Sequence, residues 1–195
     1  MISNQFSGAT DFIGFVSSLS PLESEAREML ASKLYAKQYR KGELILETGT
    51  VCNRIYFIDR GLVKTFFYTD TREFIMRFFP EGHLFTVLDS FVLQQPSSYS
   101  VQALEDTVIT CLNHDELEML CGKYHSVETF YRKLLALAAV NMMNRIGGTL
   151  EEKAQIAYNR FLKEYGSLLQ RISLADLASY LGITQVSLSR IRAMK

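Results

Sequence analysis

The residue types and spacings that carry the most chemistry lie at the end of the chain. Residues 173–192 read Ser-Leu-Ala-Asp-Leu-Ala-Ser-Tyr-Leu-Gly-Ile-Thr-Gln-Val-Ser-Leu-Ser-Arg-Ile-Arg. Ser173 opens a helix, and Asp176 supports that start with a carboxylate near the free N–H groups of the first turn. Leu174, Leu177, Ala178 and Leu181 form its buried face. Gly182 falls where the chain must turn sharply with positive φ, and Ala178 is small where a second helix crosses closest. Thr184 caps that second helix, on which Leu188 and Ile191 point inward. Gln185, Val186, Ser187, Ser189, Arg190 and Arg192 are left outside. Such a face fits the major groove of a DNA duplex: Arg reads guanine, Gln reads adenine, and Val186 touches a thymine methyl. The hydroxyls of Ser173 and Thr184, at the helix starts, donate to phosphates. The segment therefore reads as a helix-turn-helix that binds double-stranded DNA.

Charge distribution agrees with this. The chain holds 21 Lys and Arg against 21 Asp and Glu, yet from residue 171 onward Arg171, Arg190, Arg192 and Lys195 face Asp176 alone. A small basic module on a mildly acidic body is what phosphate contact requires, and Arg171 is a further candidate for it.

The preceding elements must position this module. Residues 20–34 carry a helical pattern, with Pro21 as the first helical residue and Leu22, Ala26, Met29, Leu30 and Leu34 on one side. From Tyr39 to Leu112 the pattern changes to short β-type runs at 44–46, 54–59, 62–68, 73–79, 99–103 and 108–112, separated by Gly42, Gly49, Gly61 and Gly82. This predicts a rolled antiparallel barrel with glycine turns. Asn113 caps a helix through Leu120. A longer helix follows from Val127 to Ile146, where Phe130, Leu134, Leu137 and Asn141 recur at steps of four, three and four. That stripe is broad enough to serve both the barrel and a second copy, with polar Asn141 setting the register of a homodimer. Gly147-Gly148-Thr149 is expected to interrupt it, and Thr149 with Glu152 to open the next helix as a capping box ending at Gly166. The chain thus divides into a sensor at residues 1–126, a dimerisation and linker helix at 127–147, and the helix-turn-helix domain at 148–195.

Several function classes fall away. No apolar run approaches the roughly 18 to 20 residues that span a bilayer, and the N-terminus lacks a basic start before an apolar stretch, so no membrane partner and a cytoplasmic location are expected. Cys52, Cys111 and Cys121 form no CxxC pair and read as small core residues. His83, His114 and His125 have no ligand-spaced neighbours and read as surface or turn residues, so neither a metal nor another cofactor is expected. A β-barrel enzyme of cupin type is the alternative from another class. It needs clustered His and Glu, and neither these nor a GxSxG elbow, Walker loop or HExxH pair is present. The other alternative keeps the fold but has the terminal helices contact protein instead of DNA.

The sequence resembles the cyclic-AMP receptor protein and fumarate-nitrate regulator family over nearly its whole length. The resemblance rests on Lys41-Gly-Glu-Leu-Ile45, Arg54-Ile-Tyr-Phe-Ile-Asp-Arg-Gly61, Pro80-Glu-Gly-His-Leu-Phe85, Leu177-Ala-Ser-Tyr-Leu-Gly-Ile-Thr184 and Leu188-Ser-Arg-Ile-Arg192. It implies an α+β chain: an N-terminal antiparallel β-roll of jelly-roll type with flanking helices, a long dimerisation helix, and a C-terminal helix-turn-helix. It implies a homodimeric transcription regulator with two recognition helices about 34 Å apart over a palindromic site, and RNA polymerase as a further partner.

Three departures qualify what carries over. Members that bind cyclic AMP have a Gly-Glu pair and an Arg-Ser/Thr segment, whereas the aligned positions here read Thr86-Val87-Leu88 and Ser97-Ser98-Tyr99-Ser100. Without both charged partners, desolvating a cyclic phosphate is not repaid, so an unidentified, less charged effector at Thr86, Val87, Leu88, Ser97, Ser98 and Tyr99, or a self-filled pocket, is expected. The scattered cysteines cannot supply an iron-sulfur cluster. The family continues beyond the recognition helix into a β-hairpin wing, whereas this sequence stops at Lys195, and Gln185 and Val186 stand where the best-known members have Arg and Glu.

Overall fold

The computed structural model describes residues 9–70, 72–151 and 154–193. After the short helix α1 (Phe12–Leu19) and α2 (Ser24–Lys33), the chain enters eight strands: β1 (Tyr35–Tyr39), β2 (Leu44–Leu46), β3 (Arg54–Arg60), β4 (Val63–Tyr68), β5 (Glu73–Phe79), β6 (Leu84–Phe85), β7 (Ser100–Ala103) and β8 (Thr107–Asn113). Helix α3 (Leu88–Leu93) separates β6 from β7; α4 (His114–Lys123) and the long α5 (His125–Glu151) follow β8.

The strands form two four-stranded sheets, ordered β1-β8-β3-β6 and β2-β7-β4-β5, with every pairing antiparallel. This is the expected roll. Gly42, Gly49, Gly61 and Gly82 all have positive φ, as glycine turns require. Gly61 is the most constrained: at φ 105° an added Cβ would collide with the side chain of Thr107 and lie 2.8 Å from its Cα.

Side-chain alternation gives each sheet an outer face to cover. On the first sheet Ile55 and Phe57 are buried with Phe12, Phe15, Leu117, Val127 and Phe130, so α1, α4 and the start of α5 close that side. The Phe57 ring meets Phe12 and Phe15 with centroids 6.3 Å apart in both cases. On the second sheet Phe66, Ile75 and Phe78 are covered instead by the C-terminal helices.

Some local expectations are corrected. Helix α2 starts at Ser24, so Pro21 precedes it, and α1, β1 and β6 have no counterpart among the predicted elements. Asn113 does occupy the N-cap of α4, but its Oδ1 accepts from the Tyr35 hydroxyl (2.7 Å) and caps nothing. The break at Gly147-Gly148-Thr149 does not occur: α5 runs through it to Glu151. Each glycine costs a helix about 1 kcal/mol relative to alanine, yet it keeps the backbone N–H that the helical ladder uses, so the flanking turns carry it. Thr149 therefore lies within a helix and does not open one, and its predicted capping partner Glu152 lies outside the described residues.

Candidate nucleic-acid interface

The C-terminal module consists of α6 (Ala154–Tyr165), a 3-10 turn (Gly166–Gln170), α7 (Leu174–Leu181) and α8 (Gln185–Ala193). The Ser173 hydroxyl accepts from the Asp176 N–H (3.0 Å), and the Asp176 carboxylate accepts from the Ser173 N–H, a reciprocal capping box. Gly182 ends α7 at φ 69°, and its N–H donates to the Ala178 carbonyl. Thr184 Oγ1 accepts from the Ser187 N–H (3.1 Å), so it caps α8.

Leu177, Ala178 and Leu188 are buried in one cluster with Tyr158, Phe161 and Leu168, and Leu181 and Ile191 pack at its margin. Leu174 departs from expectation. It is 46% exposed. On α8 the outward set is as read: Gln185, Val186, Ser189, Arg190 and Arg192 are exposed, Val186 by 63%. Ser187 is half-buried and shares a 3.0 Å hydrogen bond with the Thr184 hydroxyl.

The module is seated on the second sheet of the roll. Phe78 of β5 lies 6.3 Å from Phe161 and 5.4 Å from Tyr180, centroid to centroid. Two ion-pair groups border this contact. The buried ammonium of Lys64 on β4 meets Glu73 at 2.8 Å and Asp176 at 3.0 Å. Burial works against ionising Asp176, but the Ser173 hydroxyl and Lys64 outweigh it and hold the carboxyl below its ordinary range.

Arg171 forms the second group. Its guanidinium takes both Glu81 oxygens at 2.8 Å and both Glu105 oxygens at 2.9 and 2.7 Å. The expectation that Arg171 contacts phosphate is therefore corrected: its donors already face two carboxylates of the roll. Burial opposes charge on Glu81, but the hydrogen bonds from Arg171 and from backbone N–H groups bring it down to about 2. None of these partners was visible in the sequence pattern. From α5, Arg145 lays its guanidinium 4.0 Å over the Tyr180 ring and donates to the Tyr180 carbonyl (2.6 Å), tying the long helix to α7.

The predicted effector cassette is brought together at α3 and the start of β7, with its polar groups turned on one another. Thr86 Oγ1 donates to the Arg54 carbonyl (2.8 Å) and sits 3.3 Å from Cys52 Sγ. Val87 is buried and Leu88 starts α3. Ser97 Oγ donates to the Tyr99 carbonyl (2.8 Å) and accepts from its N–H (2.9 Å), Ser98 is exposed, and the Tyr99 ring stands edge-on to Phe67. Phe130 on α5 is wholly inside its own roll, with Leu134 and Leu137 packed against that core and Asn141 half-buried. The exposed apolar stripe of α5 runs through Ala136, Ala139, Val140 and Met143, the last 71% exposed. Cys52 and Cys111 are buried, and among the described residues no three His, Cys, Asp or Glu side chains converge to hold a metal.

Comparison with known proteins fits this arrangement. The family profile of the cyclic nucleotide-binding domain matches residues 36–124. No curated protein matches the sequence. Among solved structures, FixK2 from Bradyrhizobium japonicum is similar with a TM-score of 0.70 at 23% identity, over 83% of this chain and 83% of that one. A putative transcriptional regulator of the crp/fnr family from Eubacterium rectale gives a TM-score of 0.71 at 16% identity, over 89% of this chain and 83% of that one. A CooA mutant from Carboxydothermus hydrogenoformans gives 0.68 at 15%, over 91% of this chain and 81% of that one. With a roll that matches the cyclic nucleotide-binding domain, a long helix and a terminal helix-turn-helix in one arrangement, the chain has the CRP/FNR-type fold.

Proposed function

We propose that this protein is a sequence-specific, DNA-binding transcription regulator of the CRP/FNR type. The observation that carries the reading is α8 itself: Leu188 anchors it while Gln185, Val186, Ser189, Arg190 and Arg192 remain exposed. A polar helix face that makes no ion pair among the described residues, on the end of a roll-and-helix fold shared with regulators, suits a major groove. The protein acts in the cytoplasm as a homodimer through α5, whose uncovered Ala136, Val140 and Met143 supply an apolar seam, with RNA polymerase as a further partner. The sensor spans 1–126, the linker helix 127–147 and the DNA-binding domain 148–195.

The cassette carries no charged side chain at Thr86, Val87, Leu88, Ser97, Ser98 or Tyr99, so cyclic AMP is not the effector. Calorimetric titration showing micromolar affinity for it would refute that assignment. The function is tested by selecting duplexes from a random pool on the full chain and comparing wild type with Arg190→Ala. Loss of one guanine contact weakens the selected site roughly ten- to a hundredfold and relaxes selectivity there. Unchanged retention at moderate salt would favour protein contact by the terminal helices.

A further inference from the structure

We propose that the β4–β5 hairpin is a second DNA-contacting element, in which Arg72 places its guanidinium on a backbone phosphate beside the groove that α8 enters; this rests on the DNA-reading assignment above. Arg72, Glu73 and Phe74 form one wall of a cleft of about 220 Å³ whose other wall includes Ser179, Thr184 and Gln185. A side chain of the roll thus borders the same opening as the first turn of the recognition helix. Thr184 and Gln185 are exposed, and so is Arg72, so the mouth of the cleft faces solvent where a duplex lying on α8 would pass.

The guanidinium is held without being neutralised. It sits 4.5 Å over the Phe74 ring, which is itself stacked on Phe67 with centroids 5.5 Å apart. Such a contact restrains a cation while leaving its N–H edge open. Among the described residues no ion pair engages Arg72, and the neighbouring Glu73 is already matched by Lys64. The start of α8, where Thr184 already takes the Ser187 N–H, presents the positive end of the helix dipole on the same opening. A planar fork of donors beside it matches phosphate geometry. The contact carries no sequence information; it fixes register along the duplex. The roll and the recognition helix would then grip one molecule of DNA together, so any movement of the module over the roll changes how many phosphates are held.

The test uses the full chain with two labelled probes, a duplex selected as above and a 30-base-pair duplex of scrambled sequence. For Arg72→Ala the slope of log affinity against log salt falls by about 0.9 per protomer on both probes, since one counterion fewer is released. Arg72→Lys restores most of the slope, and Asp70→Asn, at the same turn, raises affinity a few fold. Both positions are on the surface, and thermal melting verifies that each of the three variants is folded. An unchanged slope for Arg72→Ala alongside weakened binding by Arg190→Ala overturns the hairpin contact and leaves groove reading in place. Failure of wild type to retain either duplex overturns both.

Discussion

The two sheets of the roll are covered in different ways. The outer face of the first is closed by α1, α4 and the start of α5 through aromatic and aliphatic contacts centred on Phe57, Phe12, Phe15 and Phe130. The outer face of the second also has an apolar centre at Phe66, Ile75 and Phe78, but its border is charged: Lys64 with Asp176 and Glu73, Arg171 with Glu81 and Glu105. Apolar contacts depend little on salt and pH, whereas a seam bordered by carboxylates and guanidinium responds to both. The first cover belongs to the core of the roll itself. The second is a contact whose charged border salt and pH can weaken.

The largest effect sharpening this contrast is expected from Phe57→Ala, which removes a fully buried ring and destabilises the roll by about 3 to 5 kcal/mol. Urea unfolding measures it, and a loss under 1 kcal/mol would break the view of that seam as core. Next comes Lys64→Met, which leaves Glu73 and Asp176 partly buried without their cation. It should cost about 2 to 3 kcal/mol, less than a fully buried pair because both carboxylates keep some water. The loss should appear as faster proteolysis between roll and module, and unaltered protection would show that the apolar patch suffices.

Arg171→Ala is expected to cost about 1 kcal/mol, since its pairs are part-exposed and screened, with a salt dependence that wild type has and the variant lacks. Smallest is the pH response. Glu81 is depressed from 4.5 to about 2 in the docked state, so its contribution is fully present above pH 4.5 and fades as pH falls toward 2. Melting temperatures across that window should drop less steeply in Glu81→Gln; parallel curves would assign the acid sensitivity elsewhere.

What the sequence disclosed was whatever is enforced locally. The helix-turn-helix was legible because Ser173, Asp176, Gly182 and Thr184 set caps and a turn within a few residues of themselves. The glycine turns of the roll and strands β2 and β5 were legible for the same reason. Strand β1 was not, because Tyr35–Tyr39 becomes a strand by pairing with β8, Tyr35 opposite Cys111, far along the chain. The two-residue β6 is likewise defined by Tyr56 and Phe57 of β3. Asn113 illustrates how a correct position can hide a wrong partner: it stands at the cap, but Tyr35 claims its oxygen. Lys64 and Asp176, 112 positions apart, show no periodicity that links them, and Arg171 was misassigned because the spacing of a basic residue says nothing about the carboxylates that a fold delivers to it.

Glu81 serves two structures at once. Its Oε1 accepts from the Gly61 N–H (2.9 Å), a bond internal to the roll, while the same carboxylate receives Arg171. Because the glycine amide is fixed by a turn that tolerates no side chain, the receptor for the guanidinium is assembled as soon as the barrel folds, with or without its guest. Forming the ion pair then restrains chiefly the arginine, since the roll already holds one oxygen of the glutamate.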